Sequence, residues 1–286
     1  MTEKIDIAVV KGILKERRKD SHKGTYGHLL LSVGSKGYRG AAVLAALGAY
    51  YTGVGLVTVA STEKVLSLVV SRLPEAILLD IDGDLDNYLL RLADVDACLI
   101  GCGLSRSSKA KDLLYTTIKH ANCPLVIDAD GLNILSFEQD LLKEAKSDII
   151  ITPHIGEFSR LSSCGVEDIL ANRAQYAADY AVVHGVYVVL KSDKTVIALP
   201  DGTTYINTAG NSSLAKAGSG DLLAGVIAAA LAMKYSTSDA AIAGTYLHSL
   251  AADLAVIDRN PHSVTASFVA EYISDAYNYI FSTENE

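Results

Sequence analysis

Short apolar runs of strand length alternate along this chain with longer segments of helical periodicity. The runs are continuously apolar rather than alternating, which is typical of strands that are buried on both faces. Strands separated by helices predict a mainly parallel sheet covered by helices on both sides, an α/β fold. The strands predicted up to residue 191 are His28–Gly34, Leu56–Ala60, Ala76–Asp80, Ala97–Gly101, Leu125–Asp128, Ile149–Thr152 and Val186–Lys191.

The pattern changes after Lys191. Two short strands, Val196–Leu199 and Thr203–Asn207, are predicted to pair antiparallel across a Pro-Asp-Gly turn. Composition is even from about residue 25 onward, so we expect one domain over residues 1–286, with 1–24 as a helical lead segment. The helices predicted along the chain include Gly40–Tyr51, Glu63–Ser71, Asp221–Lys234, Asp239–Asp258 and Thr265–Phe281.

Composition and charge exclude several classes of protein. The chain has 286 residues, 50% of them hydrophobic, which is enough to fill a large core. Its 25 basic and 33 acidic residues give a net charge of −8 with no basic patch, so a nucleic-acid partner is not expected. No uninterrupted apolar run reaches the roughly 18–20 residues of a membrane span, and residues 1–20 lack a signal-peptide core. Four cysteines without a CxxC pair predict neither a disulfide scaffold nor a zinc site, so we expect a cytoplasmic protein without a membrane partner.

The strongest local signal is the sequence AGSGDLLAG over residues 217–225. Glycines let the backbone approach a ligand closely, and the free N–H groups of the following helix suit a phosphate. A phosphate would repel Asp221 at that helix end unless the carboxylate takes a proton from an attacking hydroxyl. The other interpretation is that Asp221 only caps the helix. The motif alone leaves both open.

Two polar loops precede this helix. The loop Asn207–Asn211 (NTAGN) is better explained as part of an anion cradle than as a plain connector. The segment from Lys191 to Thr195 (KSDKT) lies between two apolar runs. It predicts either a tight hairpin with solvated charges or a loop that holds a nucleotide, and both remain open.

Polar residues also follow two of the central strands. Asp128 and Asp130 could organise Mg²⁺ with its waters, or cap the next helix, and for Asp128 the cap is the favoured interpretation. His154 directly follows a buried strand and precedes Gly156, so a ligand contact is favoured there. The spacing of His154 and Glu157 suggests a metal pair, but no third ligand supports one.

Two glycine-containing turns complete the set. Gly101-Cys102-Gly103 ends one strand, and the turn from Gly34 to Ala41 joins another strand to an Ala-rich helix. Because ligands bind beyond the carboxyl ends of the strands in open α/β sheets, we expect all these turns to converge on one edge. The joint prediction is a cleft for a nucleotide and a substrate.

These motifs, in this order, resemble those of the ADP-dependent NAD(P)H-hydrate dehydratases, the family that repairs hydrated nicotinamide cofactors. The resemblance runs from about Gly24 to the final helix. It implies a ribokinase-like three-layer α/β/α sandwich with a central, mostly parallel sheet. It also implies a stand-alone dehydratase, a homotetramer, with the NAD(P)H-hydrate epimerase as functional partner. The motifs are YRGA at 38–41, GCGL at 101–104, DADGLN at 128–133, TPHIGE at 152–157 and the stretch 210–225.

The resemblance further implies roles for individual residues. Asp221 would be the catalytic base, Asn211 and Asp130 would be further candidate contacts, and ADP and Mg²⁺ would be the cofactors, with metal ligands unassigned. The residues implied to bind the hydrated cofactor are Ala41, Gly103, His154 and Asp221. Those implied to bind the adenine nucleotide are Lys191, Ser192, Asp193, Lys194, Thr195, Gly218, Ser219 and Gly220.

The implied chemistry is a phosphorylation followed by an elimination. Asp221 takes the proton of the C6 hydroxyl, the oxygen attacks the terminal phosphoryl group of ADP, and the phosphate ester is expelled, which gives NAD(P)H, AMP and phosphate. The chain departs from the family at Ser213 and Ala217, which stand where relatives often have Gly, and at Cys102, which stands where they often have Pro. The Ala217 methyl would alter the phosphate geometry unless the backbone there needs no positive φ.

Two alternatives remain. A vitamin-precursor kinase of the same fold would phosphorylate hydroxymethylpyrimidine or hydroxyethylthiazole, although thiazole kinases tend to have Cys at the position of Asp221. Sugar kinases resemble the chain less, because residues 215–217 lack their Asp-Thr pair. A nucleotide sensor without catalysis is disfavoured by the presence of Asp221.

Overall fold

A computed structural model describes residues 2–82 and 85–282. Met1, residues 83–84 and residues 283–286 of the expected 1–286 domain therefore lie outside the described residues. The sections below concern the described ranges.

In these ranges ten strands form one sheet, in the order β1-β10-β9-β8-β7-β6-β5-β2-β3-β4. Neighbours from β4 to β8 are parallel, β9 is antiparallel to both β8 and β10, and β1 is parallel to β10. The predicted mostly parallel sheet is therefore confirmed. The strands are β1 Thr2–Ile5, β2 His28–Ser32, β3 Leu56–Ser61, β4 Ile77–Asp80, β5 Ala97–Ile100, β6 Leu125–Ile127, β7 Ile149–Ile151, β8 Tyr187–Leu190, β9 Thr195–Ala198 and β10 Thr204–Asn207.

The helices of the described residues mostly follow the predicted segments. The predicted helix Thr265–Phe281 is two helices, because the chain breaks at Tyr272. The lead segment is not purely helical either, since it begins with β1. The helices are α1 Ile7–Ile13, α2 Arg39–Thr52, α3 Glu63–Arg72, α4 Leu85–Leu92, α5 Ser108–His120, α6 Asp130–Leu135, α7 Ile155–Ser162, α8 Val166–Ala171, α9 Arg173–His184, α10 Ser219–Ala232, α11 Thr237–Asp258, α12 Ala266–Glu271 and α13 Ile273–Ser282.

Two hydrophobic cores lie on opposite faces of the sheet. Successive residues of a strand point to opposite faces, so Leu29 and Leu31 join the core with α2, α10 and α11, while Leu30 joins the core with α5, α7 and α9. This arrangement is the predicted three-layer α/β/α sandwich.

Helix α10 is embedded in the first core. Every one of its residues except Gly220 and Asp221 is buried, which identifies a helix that is apolar on all sides. Packing therefore holds this helix rigidly, and its two accessible residues lie at its N-terminal end.

Helix α11 is long and apolar enough to cross a membrane by length and composition, with a mean hydropathy of 1.4 over its most apolar 18 residues. However, 72% of that window is buried inside the protein, as in a core helix.

Candidate active site

The carboxyl ends of the central strands carry most of the predicted site residues. Cys102, Asp128, His154 and Lys191 follow β5, β6, β7 and β8, which are adjacent in the sheet. The N-terminus of α10 lies at this same edge, because the side chain of Asp221 is close to those of Cys102 and Asp128. The sheet thus brings these turns together as the sequence predicts.

The glycine-rich turn leaves the start of α10 open. Gly218 has a φ of +92°, and a Cβ there would lie 2.3 Å from Leu44 Cδ1, so only glycine fits. No side chain of the described residues caps α10. The Ser219 amide donates to the Lys216 carbonyl at 3.3 Å, whereas the N–H groups of Gly220 and Asp221 have no intrahelical partner and can bind an anion. Ala217 has no positive φ, so its methyl group is compatible with this turn.

Asp221 lies at the edge of this opening. The Cys102 sulfur, one carboxylate oxygen of Asp128 and one carboxylate oxygen of Asp221 all lie within 4.8 Å of one another. Burial, and then the charge of Asp128, raise the pKa of Asp221 to about 6, although the Cys102 thiol and the Lys191 ammonium lower it. A carboxylate with this pKa is a stronger base than an ordinary aspartate and is still ionised at neutral pH.

Asp128 and Lys191 form a buried ion pair. Lys191 Nζ donates to Asp128 Oδ1 at 2.7 Å, and Thr152 Oγ1 donates to the same oxygen at 2.8 Å. Burial opposes the charge of Lys191, but the carboxylates of Asp128 and Glu157 raise its pKa above the ordinary value. Because a Cβ on Gly220 would be 3.2 Å from Lys191 Nζ, this cation adjoins the open helix end. The favoured interpretation of Asp128 as a helix cap is wrong: the N-cap of α6 is Ala129, without a side-chain hydrogen bond.

The acidic residues of this edge do not make a magnesium site of their own. Burial raises the pKa of the Cys102 thiol well above its usual range, so the sulfur is a neutral donor, which hard Mg²⁺ does not favour. Asp128 is engaged by Lys191. Asp130 accepts a hydrogen bond from the Ser105 amide at 2.8 Å and lies 3.6 Å from Arg106 Nε. Asp130 therefore anchors the loop after β5, and the group of Cys102, Asp128 and Asp221 does not fit Mg²⁺.

Ala41 and Gly103 lie next to each other on the β5 side of Asp221. Gly103 has a φ of +60°, and a Cβ there would be 2.7 Å from Tyr38 Cβ and 2.8 Å from Ala41 Cβ. Any side chain at residue 103 would therefore clash with the β2–α2 turn. The glycine therefore lets the loop after β5 pack directly against the β2–α2 turn, next to Tyr38 and Ala41.

His154 and Glu157 bind each other at the start of helix α7. Its Nδ1 accepts from the amides of Gly156 at 3.0 Å and Glu157 at 3.2 Å, while Glu157 Oε2 accepts from the His154 amide at 2.8 Å. This is a capping box at the start of α7. The other ring nitrogen of His154, Nε2, lies 3.5 Å from Glu157 Oε1, and the side chain is 56% exposed. The backbone of His154 forms a β-bridge with Lys191.

The remaining predicted residues lie in two loops. Residues 191–195 connect the antiparallel strands β8 and β9, so the hairpin is present, but the predicted solvation of its charges is wrong for Lys191, which pairs with Asp128. Arg173 holds the turn by donating to Ser192 Oγ at 2.9 Å and to Asp193. Asn211 donates to Asp253 Oδ1 at 2.8 Å and to the Ala252 carbonyl at 3.0 Å. Its side chain therefore ties the loop before α10 to α11.

Sequence reasoning missed the role of Lys216. Its Nζ donates to three carbonyl oxygens, those of Pro261 at 3.0 Å, His262 at 2.8 Å and Val264 at 2.5 Å. All three protons of the ammonium are thus used to clasp the loop before α12 against the glycine-rich turn. A lysine beside such a turn suggests a phosphate ligand, and no local pattern signals carbonyl partners 45 to 48 residues away.

Comparison with known proteins agrees with this geometry. A family model described as NAD(P)H-hydrate dehydratase matches residues 29–275. The ADP-dependent (S)-NAD(P)H-hydrate dehydratase of Neisseria meningitidis is 37% identical over 272 residues, which are 94% of this chain and 89% of that protein.

Solved structures point the same way. The crystal structure of the ADP/ATP-dependent NAD(P)H-hydrate dehydratase of Bacillus subtilis, co-crystallised with ATP and Mg²⁺, superposes with a TM-score of 0.85 at 32% identity and covers 98% of this chain and 99% of that one. A hydroxyethylthiazole kinase from Pyrococcus horikoshii reaches a TM-score of 0.65 at 14% identity, covering 98% of this chain and 96% of that one, which is a likeness of fold alone.

Proposed function

Because the chain belongs to the NAD(P)H-hydrate dehydratase family, we propose that Asp221 is the general base in its ADP-dependent dehydration of hydrated NADH and NADPH. The observation that carries this proposal is the position of a carboxylate with a pKa of about 6 at the open N-terminus of α10. The vitamin-precursor kinase alternative has only the fold in its favour.

The first step forms a phosphate ester. Asp221 takes the proton of the C6 hydroxyl, and the freed oxygen attacks the terminal phosphorus of ADP, whose bond to the bridging oxygen breaks to release AMP. Charge develops on the transferred oxygens in the transition state. The free N–H groups of α10 and the ammonium of Lys191 are positioned to stabilise that charge without rearrangement.

The second step removes the ester. The ring nitrogen lone pair expels phosphate from C6, and loss of the C5 proton restores the double bond of the dihydronicotinamide. The overall change converts the hydrate and ADP to NAD(P)H, AMP and phosphate. We assign His154, Ala41 and Gly103 to the ring side, and the 191–195 hairpin with Gly218, Ser219 and Gly220 to the nucleotide side.

Other features belong to the proposal as well. We expect Mg²⁺ to enter with the nucleotide phosphates and their waters, since the side chains here do not form a cage for it, and no step above depends on it. A single domain, a cytoplasmic location, a homotetramer and the epimerase as functional partner likewise remain predictions. Asn211 and Asp130 act in this scheme as loop braces.

The activity has a direct test. Hydrated NADH with ADP should give rising absorbance of reduced nicotinamide together with equimolar phosphate and AMP. Phosphorylation of a thiazole or pyrimidine alcohol without that signal would support the kinase, and nucleotide binding without phosphate release would support a sensor.

The pH dependence of kcat/KM should report the ionisation of the Asp221 carboxyl group. Because only the ionised carboxylate can accept the proton, kcat/KM should be flat above pH 7 and fall about tenfold per pH unit well below the pKa of about 6. Initial rates between pH 5 and 8, with circular dichroism to confirm folding, provide the measurement. A rate that stays constant down to pH 5 would contradict Asp221 as the base.

The Lys216 clasp should act on nucleotide binding. In Lys216→Met the three carbonyl groups lose their ammonium partner, so the glycine-rich turn is no longer held against the loop before α12. We expect KM for ADP to rise about tenfold or more, because small displacements of positioning groups have large effects, with KM for the hydrate changed little. Ammonium ions should restore part of the loss and sodium ions none.

A matched control is Lys234→Met, at the other end of α10, where the side chain is 66% exposed and 3.5 Å from Asp96. It should leave both KM values unchanged. An equal rise in both KM values for Lys216→Met would mean general loosening rather than loss of this clasp.

A further inference from the structure

A cavity of about 280 Å³ lies at the same sheet edge and is not used by the mechanism above. Its walls come from the turns after four adjacent strands, β5, β2, β3 and β4. Gly34, Thr62, Ile81 and Leu104 each contribute from one of these turns. The cavity is thus a concave, strand-end site of the kind in which α/β proteins bind ligands.

This cavity adjoins the ring side of the site. Leu104 directly follows Gly103, and the Gly34 amide donates to the Cys102 carbonyl at 2.8 Å. The turn that begins at Gly34 also carries Tyr38, which contacts Gly103. The two turns that carry Gly103 and Tyr38 therefore also supply walls of the cavity through Leu104 and Gly34.

The order of the strands places the residues assigned to the nucleotide, to the substrate ring and to the cavity in a row along the sheet edge. Lys191 follows β8, Asp128 follows β6, Gly103 follows β5, and the cavity extends over β2, β3 and β4. At about 4.8 Å per strand, β4 lies about 14 Å beyond β5. The nucleotide that donates phosphate takes the β8 side, so the rest of a substrate whose ring is held at Gly103 must extend the other way.

We propose that this cavity binds the adenosine half of the dinucleotide substrate. The proposal rests on the proposed function, because it takes the ring of the hydrated cofactor to lie between Asp221 and Gly103. It assigns to the cavity a nucleoside with its phosphate, and it makes the enzyme select a dinucleotide over a mononucleotide.

The lining suits a nucleoside. Leu104, Leu113 and Ile81 provide apolar walls for a flat base, since Leu104 and Leu113 are packed with the core and expose only 7% and 4% of their surface. The hydroxyl groups of Ser35 and Thr62 form no hydrogen bond within the described residues and can bind ribose oxygens. The lining also carries the carboxylates of Asp82 and Asp112, which can accept hydrogen bonds from ribose hydroxyls. The ammonium of Lys109, which forms no ion pair with a described residue, can meet a phosphate.

The test compares hydrated NADH with hydrated reduced nicotinamide mononucleotide, which has the same ring and lacks the adenosine half. Thr62 is the N-cap of α3 but makes no capping hydrogen bond, so Thr62→Phe fills the cavity without removing a cap. We expect kcat/KM for hydrated NADH to fall about tenfold or more, with that for the mononucleotide hydrate within about twofold of wild type. Thr62→Val, which removes only the hydroxyl, is the matched control and should have a much smaller effect.

Two results would overturn the assignment: equal kcat/KM for both hydrates in the wild-type enzyme, or equal losses for both in Thr62→Phe. The wild-type comparison and Lys109→Ala, which should weaken only the dinucleotide, decide the matter if Thr62→Phe does not fold. Failure of the wild-type enzyme to dehydrate either hydrate with ADP would instead refute the proposed function, and this inference with it.

Discussion

Asp221→Asn is expected to lower turnover by about 10²–10⁴-fold, the usual contribution of a general base, while ADP binds with nearly unchanged affinity. The amide has almost the shape of the carboxylate, so the open end of α10 and the Lys191 ammonium stay in place. What is lost is the acceptor for the hydroxyl proton. The absorbance assay measures the loss of turnover, and calorimetry measures whether the affinity for ADP is unchanged.

The same variant should be more stable than the wild type at neutral pH. The folded protein raises the pKa of Asp221 from 3.8 to about 6, so between these values the folded state holds a proton that the unfolded chain releases. Stability therefore falls as pH rises through this window, and the full penalty, of the order of 2–3 kcal/mol, is present above pH 6. The side chain of Asn carries no charge, so the variant avoids this free-energy penalty.

Urea unfolding at pH 8 and pH 4 measures this effect, and the gain should shrink toward pH 4. Asp130→Asn is the matched control, because an amide oxygen can still accept from the Ser105 amide. It should keep most of the activity and show no such gain. An inactive Asp221→Asn that is also less stable at pH 8 would point to a structural role, and near-normal turnover would remove Asp221 from the mechanism.

Strand β1 was missed by sequence reasoning because its pairing partner is remote in the chain. Strand β1 (TEKI) is polar and mostly exposed, and it is a strand only because it pairs with β10, some 200 residues away. No local period can signal such an edge strand. The central strands, by contrast, are buried on both faces, so their apolar runs alone identify them.

The candidate site shows the same division. Local motifs located the strand-end turns and the glycine-rich turn, because glycine and strand-end polar residues have meaning in their own sequence context. They did not reveal that Asp128 pairs with Lys191, 63 residues further on, nor that Lys216 is held by carbonyl groups. An aspartate between a strand and a helix is usually a helix cap. The carboxylate of Asp128 is only 1% exposed, however, and a carboxylate buried to that degree requires a cationic partner, which here is Lys191.

Lys191→Met is expected to lower the free energy of unfolding by about 3–5 kcal/mol at neutral pH, because it leaves the buried carboxylate of Asp128 without its partner. Urea unfolding at pH 7 measures this loss. Lys194→Met is the matched control, since that side chain lies exposed in the same hairpin and has no ion pair within the described residues, and it should change stability by less than about 0.5 kcal/mol.

The double variant Lys191→Met/Asp128→Asn separates stability from catalysis. Its neutral pair should recover most of the lost stability, because Asn still accepts the hydrogen bond from Thr152 Oγ1, which lies 2.8 Å from Asp128 Oδ1. Turnover should nonetheless remain at least about 10²-fold below wild type, the usual effect of removing one group that stabilises transition-state charge. If activity returned together with stability, Lys191 would be only the counter-ion of Asp128, and the charge on the transferred phosphoryl group would have to be stabilised by the N–H groups of α10 alone.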